Sequence, residues 1–164
     1  MKSISEKTRR RLDIQGFEKV EESLLLETVP WLRFPFALCT LLAASGTLLA
    51  SPPFLWALMP FSAIAAVSPA HPFDLIYNYG LRHFTGTRPL PERGAPNRFA
   101  CGLGTVWLFF TGLSFYTGYA VTGYILGGML TGVGILVSTI NFCIPSLLYR
   151  TIFGFPLRST AEQI

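Results

Sequence analysis

Cys39, Cys101 and Cys143 are the side chains of this sequence with the most chemistry in them. Paired thiols can close to a disulfide or hold a soft metal ion, and both need sulfurs brought close together. No Cys-x-x-Cys pair is present, because Cys143-Ile144-Pro145-Ser146 has a serine where the second cysteine would stand. The wider spacing still places Cys101 and Cys143 at one end of a helical hairpin. With a tip near Tyr119, Cys101 lies 18 residues before it and Cys143 lies 24 after it. That offset is about 9 Å of helix rise, beyond the ~7 Å between α-carbons that a disulfide tolerates. The two are expected as neighbours rather than as a bonded pair. A thiol-redox or sulfur-handling site is one reading. The plainer one is that lone cysteines in a bundle are small hydrophobes, kept as thiols in a reducing compartment.

Other chemistry is scarce. His71 and His83 fall outside the apolar stretches, where isolated histidines are expected to face solvent. A transmembrane haem or chlorophyll needs a histidine inside the bundle, so a cytochrome or pigment role is disfavoured. No Ser-His-Asp, His-Glu-x-x-His or phosphate-loop pattern occurs. No catalytic residue, metal site or cofactor is expected. Asn141 is the one amide in a span, and hydrogen bonding to a neighbouring helix accounts for it.

Two long uncharged runs must position these residues. Phe34 to Phe73 and Phe99 to Tyr149 hold no Lys, Arg, Asp or Glu, and all 22 charged residues lie elsewhere. Only 13% of the chain is charged, against about 25% in soluble domains. Mean hydropathy is +0.46. A helix rises about 1.5 Å per residue and a bilayer core is roughly 30 Å thick, so each run crosses about twice. The expected fold is all-α and polytopic: four transmembrane helices as two hairpins, at Phe34–Ala50, Phe54–Pro69, Phe99–Gly118 and Thr122–Phe142. Pro60 is expected to kink the second. The segment Pro72–Phe84 mixes aromatics with Asp74, Asn78, Arg82 and His83, which suggests an interfacial amphipathic helix in the central loop. Three units follow: residues 1–33 as an N-terminal segment, 34–154 as the membrane domain, and 155–164 as a tail. The first unit is read as a short surface helix after a flexible start, with a partner-docking role less favoured.

Neither hairpin tip carries a charge, near Ser51-Pro52-Pro53 or near Gly118-Tyr119-Ala120-Val121. The positive-inside rule then sends both termini and the central loop to the cytoplasm. The start is too polar for a cleavable signal. A bacterial inner membrane is the expected location. The net charge of +4 is spread over membrane flanks, and only Arg9-Arg10-Arg11 clusters, so no nucleic-acid partner is expected. The expected partners are the lipid bilayer and other membrane subunits, or a second copy of the chain.

Nine of the fifteen glycines lie between Gly102 and Gly134. Gly123 and Gly127 are four apart, as are Gly128 and Gly132, which puts each pair on one helix face. The two pairs are expected on different faces, one for packing inside the hairpin and one for another subunit. Gly118 near a tip is expected to tolerate a larger side chain.

From Gly94 the run Gly94-Ala95-Pro96-Asn97-Arg98-Phe99-Ala100-Cys101 resembles the third-span entry of bacterial membrane proteins grouped as domain of unknown function 4395. The end of the second hairpin, Phe142 to Tyr149, is similar to that family's closing segment. There the family usually has two cysteines three apart; here Cys143 matches the first and Ser146 replaces the second. The resemblance covers roughly Phe34–Gly154. It marks Gly94, Pro96, Arg98 and Phe99 as motif residues and implies the architecture rather than an activity. The leading expectation is a non-enzymatic accessory or structural subunit. The alternatives are a thiol-redox or sulfur-handling protein and a small-solute channel or carrier.

Overall fold

Residues 4–155 are described in the computed structural model, and they are helical almost throughout. The expected tail therefore lies outside the described residues except for Phe155. Two helices come first, α1 (Glu6–Ile14) and α2 (Glu22–Leu32). The first hairpin is α3 (Phe34–Leu48) and α4 (Pro52–Val67). The central segment holds α5 (Pro72–Ile76), a π-helical turn (Tyr77–Leu81) and α6 (Arg82–Thr85). The second hairpin is α7 (Ala95–Tyr116) and α8 (Ala120–Ile140), and α9 (Ile144–Phe153) follows. Helices α3, α4, α5, α7 and α9 each carry a proline in the first turn, where the missing N–H leaves nothing unsatisfied.

Three helical stretches are long and apolar enough to cross a membrane: Glu22–Leu48, Ala95–Tyr116 and Ala120–Ile140. Helix α4 qualifies only together with Pro72–Thr85, from which it is bent by 87°. That sharp bend falls at residues 68–71, while Pro60 sits inside α4, which continues to Val67. Helices α2 and α3 run nearly end to end through Arg33.

The four long helices close into a ring. Helix α3 packs on α4 and α8, and α7 packs on α4 and α8. Buried Ala43, Leu55, Leu58 and Leu108 hold the ring together from three of these helices. Indole N–H groups tie the hairpins: Trp107 Nε1 donates to the Leu126 carbonyl at 2.9 Å, and Trp56 Nε1 to the Phe109 carbonyl at 3.3 Å.

A second core sits at the loop end. Leu12 of α1, Leu25 and Leu32 of α2, and Phe17 from the link between them pack with Tyr77 and Leu90 of the central segment. The N-terminal segment is thus folded onto the rest of the chain, where a flexible start is expected from sequence. It also satisfies the orphan carbonyls at the end of α8. Arg33 donates to the Thr139 carbonyl at 2.7 Å, Arg11 to Ile140 at 2.9 Å, and Gln15 to Asn141 at 2.7 Å. Cations suit the negative end of the helix dipole.

Candidate functional site

A partly open apolar cavity of about 140 Å³ lies among the ring helices. Cys39 from α3, Cys101 from α7 and Cys143, the residue before α9, all line it, and His71 joins them. All three cysteines are free thiols. The hairpin register relates Cys101 to Cys143 in sequence. The span pattern puts Cys39 near the same membrane face as the other two, but its approach to them depends on how the first hairpin docks on the second.

His71 departs from the solvent-facing position expected for it. Its residue is 2% exposed, whereas His83 lies on the surface. The chain break after α4 turns it inward and makes it the N-cap of α5. Its Nδ1 accepts the Phe73 N–H at 3.2 Å, and the Asp74 carboxylate accepts the His71 N–H at 2.9 Å. With Nδ1 accepting, the ring proton sits on Nε2, which faces Cys39 Sγ at 3.7 Å. A histidine at a helix N-cap with an acid three residues on is the signal that could have located it.

Asp74 is held from the other side by Arg93. The guanidinium makes two 2.7 Å bonds to the carboxylate, and the two side chains are 1% and 3% exposed. The Arg93 N–H donates to the Pro69 carbonyl at 2.8 Å, and its guanidinium lies 4.8 Å over the Phe36 ring. This buried pair pins the proline-rich loop to the mouth of the ring. Burial pushes the Cys143 thiol above its ordinary value, and contacts with the Ser146 hydroxyl and N–H only partly oppose that. At neutral pH Cys143 is therefore protonated. Among the described residues, no three His, Cys, Asp or Glu side chains are grouped as a metal site.

The motif around Gly94 has a structural explanation. The Gly94 and Gly16 backbones touch, and a Cβ on either would collide with the other. Pro96 opens α7, and its carbonyl accepts from the buried Ser146 hydroxyl at 3.1 Å. Arg98 caps α4 through the Ala66 and Val67 carbonyls at 3.2 and 2.7 Å. Phe99 packs on Tyr149, with ring centroids 5.5 Å apart. Gly94, Pro96, Arg98 and Phe99 join the end of α1 to α4, α7 and α9 beside the cavity, and Ala100 and Cys101, the next two residues of the run, line it.

The glycine pairs of α8 point to two different surroundings. A Cβ at Gly123 would strike the Phe115 ring, and one at Gly127 would strike Thr47 of α3. Gly128 and Gly132 have open space before them. Gly118 has φ +83°, so a side chain there is strained despite the open surroundings.

No curated protein and no solved structure matches the chain significantly. The family described as domain of unknown function (DUF4395) matches residues 29–153, which include the ring, all three cysteines and the motif at Gly94, and this chain belongs to that family.

Proposed function

We propose that the chain is a small membrane protein that handles thiols or sulfur in the cavity of its helix ring. The observation that carries this reading is the convergence of all three cysteines, from different elements, on one cavity with His71. A neutral disulfide entering the cavity would be attacked by one cysteine as its thiolate, the proton it gives up passing to the released ligand thiol, and a mixed disulfide would remain. A second cavity thiol would then displace the other ligand thiol and close a protein disulfide; a continuous hairpin would hold Cys101 and Cys143 out of reach, but Cys143 lies past the end of α8 in the non-helical link to α9. The two protein thiol protons leave on the two released thiols, and no further oxidant is needed. Cys101 is assigned to the pair because its helix α7 packs on α9, which Cys143 precedes. The protein would sit in a bacterial inner membrane with both termini cytoplasmic. It would cross four times, with α4 as a short second span of about 24 Å. Such a span is accommodated by local thinning of the bilayer.

The test uses dimethyl disulfide, a neutral disulfide small enough for the cavity, on the purified protein in mild detergent. Release of two molecules of methanethiol per chain is expected, with the intact mass falling by two hydrogens and no lasting adduct, and Cys101→Ala should prevent closure. A disulfide bearing carboxylates should react far more slowly. Reaction only after denaturation would reject the reading.

A second reading is favoured by Gly128 and Gly132, which face open space on α8. An accessory subunit could seat another membrane helix there, since small residues let backbones approach. Loss of a co-purifying protein on Gly128→Leu, with thiol exchange intact, would favour it.

A further inference from the structure

We infer that the cavity is a binding site for one small, uncharged, apolar molecule about the size of a benzene ring, reaching it from the bilayer. The inference rests on the cavity being the working site and names the class of molecule that site accepts. Its volume of about 140 Å³ is close to that of an engineered cavity of about 150 Å³ that stays dry and binds benzene. Leu58, Leu108, Val133, Val137, Phe61 and Trp107 supply much of the wall.

The polar groups at the wall are already engaged. The Thr40 hydroxyl donates to the Phe36 carbonyl at 2.7 Å, and the Ser62 hydroxyl to the Cys101 carbonyl at 3.0 Å. The Trp107 N–H is bonded to Leu126. His71 has its Nδ1 occupied and its Nε2 against Cys39. Asp74 and Arg93 neutralise each other. A charged ligand would lose its hydration and find no free counter-charge, a large penalty. Water fares poorly too, because a buried water needs two to four polar partners.

Helices α4 and α7 meet through small groups: a Cβ at Gly102 would lie 3.5 Å from Ala66, and one at Gly104 would lie 3.6 Å from the Ser62 hydroxyl. Outside this seam Phe61 and Val106 are exposed apolar side chains. The cavity is partly open and its lining is almost wholly apolar, so a solute dissolved in hydrocarbon reaches it without crossing a charged group.

Fluorine NMR of fluorobenzene with the protein in detergent tests the inference. A saturable resonance distinct from the micelle signal is expected, at one site per chain. Val133→Phe and Ala100→Phe, which fill the cavity from different helices, should each abolish it, with helicity by circular dichroism unchanged in at least one. Fluorobenzoate should give no such resonance. A wild-type spectrum showing only the micelle signal overturns the inference, as does a bound signal that survives both folded fillings. Methanethiol release from dimethyl disulfide by the same wild-type sample separates the two readings. Exchange without fluorobenzene binding removes the ligand class and leaves the thiol reading standing. Binding without exchange does the reverse.

Discussion

At the scale of single residues, the buried Asp74–Arg93 pair is the feature with the largest expected energetic effect. Both groups have left water, and each is tolerable only because the other is there. Asp74→Ala should cost about 3–5 kcal/mol, since it leaves a guanidinium buried without its partner. The double variant Asp74→Leu/Arg93→Met should lose much less. Thermal unfolding in detergent reads both, and a wild-type melting curve for Asp74→Ala would mean the pair is not holding the loop. Ala50 gives a smaller effect of opposite sign. Its φ of +44° puts a Cβ-bearing residue in the left-handed region at the α3–α4 turn. That conformation costs roughly 1–2 kcal/mol, so Ala50→Gly should raise the melting temperature once the added freedom of the unfolded chain is subtracted. Cys143 carries the pH dependence. Its folded thiol titrates above its ordinary value of 9.0, so the unfolded chain loses that proton first. Its contribution to stability is complete below pH 9 and is lost as pH rises through 9 toward the folded value. The difference between wild-type and Cys143→Ser stability curves should show this decline, and parallel curves above pH 9 would contradict it.

At the scale of elements, α8 separates two kinds of glycine. Gly127→Leu forces a side chain into Thr47 and should destabilise the isolated protein by about 1–3 kcal/mol, the usual range for overpacking. Gly128→Leu meets nothing within the chain and should leave its melting temperature unchanged. Equal melting temperatures for the two variants would contradict this arrangement of α8. Gly118 is a poor neutral control, because its backbone conformation penalises any side chain whatever the space. The long helices are legible in the sequence because a soluble fold rarely runs forty or more residues without a charge, whereas a pair of membrane spans requires it. Helices α3, α4, α7 and α8 lie within a few residues of the spans read from that pattern. The docking of α1 and α2 is not legible there. Leu12, Phe17 and Leu25 become a core only once Tyr77 and Leu90 arrive from the central loop, a long-range event with no local pattern. The inward turn of His71 is hidden for the same reason: its burial depends on Asp74 and Arg93 meeting across a loop.

At the scale of the whole molecule, the cavity belongs to no single element. Its thiols come from α3, α7 and the start of α9, so the pair Cys101 and Cys143 is accessible to hairpin register while Cys39 needs the closed ring. The same closure sets the two ends of the molecule apart. The cap of α1, α2 and the central segment gathers Arg11, Arg33, Arg88, Arg93, Arg98 and Arg150 at one end, where most bond carbonyls or carboxylates of the fold. The turns at Ser51 and Ala120 carry no charge at all. A bilayer retains the basic end on the side of synthesis, because moving arginines across opposes the positive-inside bias. The cap should therefore face the cytoplasm, and the thiols at the cavity's cap end should lie toward the reducing compartment. In a background with Cys39, Cys101 and Cys143 replaced, Ser51→Cys and Ala120→Cys should react with an impermeant maleimide added to intact cells. Arg88→Cys should react only after the cells are opened. Arg88 is half-exposed and paired with Glu27 at 2.8 Å, so its failure to label in intact cells would not be due to burial. Labelling of Arg88→Cys from outside, with Ser51→Cys protected, would invert the molecule and place the thiol end of the cavity on the oxidising side.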